Sequence, residues 1–238
     1  MIRAFVLALI GAGAAQAQAQ AQAQEDGTRF YPPEGCTAEL TVQSRGCQVD
    51  NIWTCEANPG HSWRMEFSAD GPQFVARIDS ETQWVESYHL FPTRRRELVQ
   101  PSDDPASLTE LLETGIDAYD FTMRTQSGPV RVVGFDRLTG ESVVIDDEPL
   151  LVTEFNARHE TTSGTALEIT GTEYVSVKHR RFIAGTYQGT GENGPFEDDV
   201  SPIDFIYPGE PGFFSKTPLY DCDASLARFV PTAKGYDQ

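Results

Sequence analysis

The sequence predicts a mostly β protein: a single curved antiparallel sheet or barrel-like meander of roughly ten strands with one short helix. A two-sheet sandwich is the alternative. Three observations carry this. Apolar residues alternate with polar ones over most of the chain; Gly-containing turn dipeptides fall between the alternating runs; only one stretch, about 104–114, has a helical stripe.

The first strands expected are 37–43 and 48–56, with Arg45-Gly46 between them. A two-residue turn there pairs residues whose numbers sum to 91, which sets Cys36 opposite Cys55. A bend at Val49-Asp50-Asn51 would instead shift that register. Trp63, Met65 and Phe67 then alternate with Arg64, Glu66 and Ser68. Asp70-Gly71 follows, and Phe74, Ala76 and Ile78 alternate again. A two-residue Asp-Gly turn would put all six apolar residues on one face. Trp84, Glu86 and Tyr88 belong to the next strand, and Tyr119, Phe121 and Met123 to another. Ser127-Gly128 turns that one into 130–135, with Met123 facing Val132. Further strands are expected at 141–146, 150–160, 165–170, 173–179 and 182–188, with Ser163-Gly164 as a hairpin turn.

In the helix, Asp104 can cap, Pro105 suits the first turn, and Leu108, Leu111 and Leu112 form a stripe ended by Gly115. Ser107 and Glu110 offer a capping box one turn later. Residues 189–218 read as a long irregular loop, rich in Gly, Pro and acids. Sequential short hairpins favour a meander over a Greek key, and twist curls so large a sheet. This architecture is similar to that of periplasmic lipid and lipoprotein carriers, which are curved antiparallel half-barrels. The likeness is one of fold and compartment, and no site residue carries over.

Residues 1–24 read as a secretory leader: Met1-Ile2-Arg3, an apolar run to Ala15, then Ala/Gln repeats with A-x-A cleavage choices. The run is too short to span a bilayer, so no transmembrane segment is expected. The expected organisation is leader 1–24, one β-rich domain 25–222 and a tail 223–238, soluble in a periplasm or secreted. Cys36, Cys47, Cys55 and Cys222 suit two disulfides in such a compartment. With Cys36 facing Cys55, Cys47 is left for Cys222.

After the leader, 17 Lys and Arg stand against 36 acids, net −19, which repels phosphate backbones and excludes nucleic acid as a partner. Gly189-Thr190-Gly191-Glu192-Asn193-Gly194 matches a dinucleotide-loop pattern, but Pro195 and acids follow where a helix N-terminus is needed. No nucleophile-elbow motif occurs, and His61, His89, His159 and His179 stand singly. No catalytic residue and no cofactor is assigned. Glu192, Asn193, Glu197, Asp198, Asp199 and Asp204 offer hard oxygen ligands, a weak calcium candidate without EF-hand spacing. Two basic runs, Arg94-Arg95-Arg96 and Lys178-His179-Arg180-Arg181, are a candidate anion or partner patch. Arg180 and Arg181 in a strand must point to opposite faces.

The expected function is therefore a non-catalytic binding module for an apolar, lipid-like ligand or an envelope protein partner. A hydrolase with dispersed carboxylate or Ser/His residues is the alternative, and a structural envelope protein without a small ligand is the third reading.

Overall fold

The computed structural model describes residues 27–191 and 194–223. The expected leader, the tail beyond Asp223, and Glu192 and Asn193 lie outside the described residues. The chain runs β1 (Cys36–Ser44), β2 (Gln48–Cys55), β3 (Ser62–Ser68), β4 (Gly71–Ile78), β5 (Trp84–Leu90) and β6 (Thr93–Leu98). Helix α1 (Leu108–Thr114) follows, then β7 (Ile116–Thr125), β8 (Gly128–Ile145), β9 (Glu148–Thr161), β10 (Gly164–Ser176) and β11 (Arg181–Gly191). Strands β12 (Gly194–Asp199) and β13 (Pro202–Ile206) complete one antiparallel sheet. Its order is β12-β11-β10-β9-β8-β7-β6-β5-β4-β3-β2-β1-β13, a meander whose last strand returns beside the first.

The sheet is open, with β12 and β13 as its edges, yet only Val200 and Ser201 separate those edges along the chain. The Val200 amide donates to Gly185 O of β11, and the Arg45 amide donates to Ser201 O, so one corner is tied to both ends of the meander. The roll is tight. Leu40, Val42, Ile52 and Phe205 pack with Leu150 and Ile183, joining β1, β2 and β13 to strands at the far end of the order. Glycines permit the curl: a Cβ at Gly134 would stand 2.1 Å from Asn156 O, and one at Gly171 2.1 Å from Thr186 O.

Helix α1 starts one turn later than Asp104 would set it. Ser107 is the cap, accepting from the Glu110 amide at 3.1 Å, a contact worth about 1 kcal/mol. Leu108 and Leu111 are buried with Val175, against Leu138, Leu151 and Phe182. The helix closes one end of the roll.

Three expectations are corrected. Gly71, Gly128 and Gly164 do not sit inside two-residue turns; each takes the positive-φ position just after one. Met123 therefore faces Val130, two residues from the expected partner and on the same face. In β3–β4 a bulge at Gln73 then adds one residue, so Glu66 faces Phe74 and Arg64 faces Ala76. A one-residue slip inverts the faces: Trp63 and Met65 pack outside, while Phe74 and Ala76 lie with Arg64 and Glu66. Second, the expected loop 189–218 contains the end of β11 and all of β12 and β13, and among its described residues 200–201 and 207–218 are irregular. Third, the expected strands 130–135 and 141–146 belong to one strand, β8, and those at 165–170 and 173–179 to one strand, β10, which ends at Ser176.

The first hairpin turns over three residues, since Ser44 faces Gln48 and both Gly46 and Cys47 have positive φ. A bulge at Glu39 restores the offset, and Cys36 faces Cys55. The disulfides are Cys36–Cys55 and Cys47–Cys222. Fully buried Thr41, Gln43 and Asn51 explain why polar side chains line the outer face of β1 and β2. Asn51 donates to Ser215 O at 2.7 Å, Gln43 to Thr217 O at 3.1 Å, and Thr41 accepts from the Phe214 amide at 2.7 Å. Phe213 and Phe214 are pressed by these bonds onto Trp53 and Ile206.

Candidate functional site

Alternation along the strands sorts the two basic runs into separate places. On β6, Arg95 points outward, where it pairs with Glu97 and Glu86 and covers the Tyr88 ring. Arg94 and Arg96 point to the other face, opposite His89 and Ser87 of β5. In the second run, Lys178 and His179 lie in the turn before β11. Arg180, also in that turn with φ 43°, donates to Ser80 O and pairs with Glu81. Arg181 opens β11 and is buried at 4% exposure, donating to Ser62 Oγ at 2.9 Å; burial pushes its pKa down to about 10. The six basic residues do not form one patch.

Lys178 and His179 belong to a cluster around Glu148, which is 2% exposed at the start of β9. The carboxylate accepts from Ser176 Oγ at 2.9 Å, Lys178 Nζ at 2.8 Å and Tyr207 Oη at 2.7 Å. Burial alone would raise its pKa, but those three bonds outweigh burial and hold it below the usual carboxylate range. His179 Nε2 lies 3.2 Å from Tyr207 Oη. The side-chain types are those of acyl-transfer chemistry, but the geometry is a clasp. Ser176 is fully buried and spends its proton on Glu148, so no free nucleophile faces solvent. Tyr207 follows β13, so the cluster fastens one edge of the sheet to the β10–β11 turn.

The calcium candidates are dispersed. Strand β12 puts Glu197 and Asp199 on one face and Asp198 on the other, while Asp204, on β13, accepts from Tyr220 Oη. Among the described residues no group of three or more His, Cys, Asp or Glu stands close enough to hold a metal ion. Glu168, Thr170, Gln188, Thr190 and Glu197 line an open groove of about 620 Å³ over β10–β12.

The inner face of the roll carries charge at both ends. Near α1 stand Asp117 and Asp136, paired across β7 and β8, with Glu173 and Tyr119 close enough to act on them. Burial, then the like charges of Glu110, Asp104 and Glu81, push Asp117 up to about 6 against the opposing bond from the Ser107 amide. Burial raises Asp136 further, aided by Glu173 and Asp117, and burial raises Glu173 against the pull of Arg64. Arg64 itself is satisfied: it donates to Asp50 at 2.9 Å and Glu66 at 2.6 Å, and keeps 27% of its side chain exposed within the roll. Across the sheet, toward the hairpin ends, are Arg94, Arg96, His89 and His159, with Arg96 Nη1 3.4 Å from His159 Nδ1.

Compared with protein-family models, curated proteins and solved structures, the chain matches none.

Sequence reasoning assigned no role to His89, His159, Asp117, Asp136 or Glu173. For His89 a signal existed: it and Arg94 are equally distant from the turn at Phe91-Pro92, which makes them direct neighbours. Nothing local marked His159, since it meets Arg96 from 63 residues away.

The acidic end makes stability depend on pH. A carboxyl whose folded pKa is raised contributes stability at low pH and loses it as pH rises through the folded value. Asp136→Asn removes that liability, so its melting temperature should gain on the wild type steadily from pH 5 to pH 8. A Tm difference constant across that range would show that Asp136 does not titrate upward.

Proposed function

We propose that this chain is an exported, non-catalytic binding module of the cell envelope that takes its ligand on the inner face of the rolled sheet. The compartment rests on the leader-like residues 1–24 and on two disulfides that an oxidising environment preserves. Among the described residues no helix is long and apolar enough to cross a membrane. The single observation that carries the binding reading is the inner face itself, where Arg94 and Arg96 remain at least partly exposed and have no carboxylate partner among the described residues. Such groups resist losing water to a purely apolar guest, because an ion stripped of hydration costs several kcal/mol unless paired. We therefore read the ligand as a small molecule with polar or charged groups, in place of the apolar, lipid-like ligand expected from the sequence. The hydrolase reading has less support, since the Ser176–Glu148–His179 group is engaged in the clasp.

The test is native mass spectrometry of protein expressed with its leader and purified from the periplasm. The expected result is a small-molecule mass excess that is lost on unfolding. Protein that runs at its bare mass and takes up nothing from an envelope extract would favour a structural role. A mass excess that matches a protein would favour docking to an envelope partner.

A further inference from the structure

Building on the binding reading above, we propose that the basic end of the inner face is an anion subsite, in which Arg96 and His159, with Arg94 and His89 at the rim, hold the carboxylate or phosphate group of the ligand. The register defines the surface. Phe74, His89 and Arg94 oppose one another across β4, β5 and β6; Ala76, Ser87, Arg96 and Thr125 form the next row. Val132 and His159 stand opposite each other on β8 and β9, with Leu167 beyond. These rows contain four basic side chains and no carboxylate. The acids nearest to them on that face are Glu66, which opposes Phe74 on β3 and is bonded to Arg64, and Asp136, four residues along β8 from Val132, about 13 Å at ~3.3 Å per residue.

Scarcity of acids does not explain this, because the chain has 36 Asp and Glu against 18 Lys and Arg. The same strand shows the alternative: Arg95, one residue away on the outer face, has two glutamates. Arg96 has none among the described residues. Its contact with His159 fixes the chemistry of the pair. A guanidinium only donates, so His159 Nδ1 must accept, and the neutral ring carries its proton on Nε2. Burial, then the nearby Arg96 charge, push the His159 pKa down to about 4, which agrees with that tautomer at neutral pH. Burial, then Arg96 and Arg94, lower His89 as well. The site thus offers one fixed cation, a neutral N–H donor beside it, and a second arginine at the exposed rim. An anion would relieve the mutual repulsion of these groups and accept from both Arg96 and His159.

The experiment is imidazole NMR of the full mature chain, titrated at constant ionic strength with inorganic phosphate in one arm and acetate in the other. Saturable shifts are expected at His159 and His89 but not at His61 or His179. The stronger arm distinguishes a phosphate group from a carboxylate. Arg96→Gln should weaken binding by about tenfold or more, the effect of losing one charge-assisted contact, while Arg95→Gln leaves it unchanged. Arg94→Gln, at an exposed position, should weaken it about threefold and serves as the second variant if Arg96→Gln does not fold. Shifts that never saturate, or that persist unchanged in both variants, overturn the subsite. If the purified protein retains a native ligand equally well in the Arg96→Gln or Arg94→Gln form, the subsite fails while the binding module stands. If neither anion nor native ligand binds, both readings fail.

Discussion

Replacing Cys47 and Cys222 together by Ser should destabilise the protein by about 5 kcal/mol, the largest effect expected of any disulfide change here. The bridge spans 175 residues, whereas Cys36–Cys55 spans 19 and should be worth about 3 kcal/mol on the same chain-entropy reasoning. Structure adds to the loop argument. The bridge tethers 207–222 where Thr41, Gln43 and Asn51, all fully buried, depend on its backbone for hydrogen bonds. If that segment lifts, three polar side chains lose their partners at once, at about 1–3 kcal/mol for each that stays buried. Urea unfolding of the two double mutants gives the comparison, and amide exchange at Phe214 should quicken only in the Cys47→Ser/Cys222→Ser protein. Equal losses for the two pairs would show that the long loop has no special weight.

Glu148→Gln should cost about 3 kcal/mol, through the clasp rather than through any binding site. The amide keeps the shape and can still accept from Ser176, but its NH2 group faces the Tyr207 hydroxyl and the Lys178 ammonium. Lys178 is 55% exposed and stays solvated, so most of the loss falls on the buried carboxylate position itself. The pH signature is opposite in sign to that of Asp136. Glu148 has a folded pKa below its unfolded value, so its contribution is present above about pH 4.5 and lost as pH falls through the folded value. Wild-type stability should then decline on both sides of a weakly acidic optimum: on the acid side as Glu148 protonates, on the alkaline side as Asp117, Asp136 and Glu173 ionise. Acid unfolding monitored by circular dichroism should lose its steepest part in Glu148→Gln. An unchanged acid limb would place the sensitive carboxylate elsewhere.

Local rules determined much of this protein from its sequence. Period-2 alternation and turn residues specify a rolled antiparallel meander. The Leu108–Leu111–Leu112 stripe specifies the helix, and Cys36 faces Cys55 as the Arg45-Gly46 spacing predicts, although only because the bulge at Glu39 cancels the extra residue of a three-residue turn. Alternation and stripe each depend on neighbours within a few residues, which a sequence displays directly. The tertiary structure decided the rest. A bulge at Gln73 adds a single residue without any distinctive composition, yet it turns Phe74 and Ala76 from the face of Trp63 to that of Arg64. Strands β12 and β13 look like loop because their acids, Pro and Gly disfavour strand locally; pairing with β11 and β1 overrides that preference. The candidate site is the extreme case. Arg96 and His159 are ordinary strand residues 63 positions apart, and their meaning comes only from the roll that brings them to 3.4 Å with no acid between. Long-range pairing of this kind depends on register accumulated over several strands, and a one-residue slip in any of them would have sent either side chain to the other face.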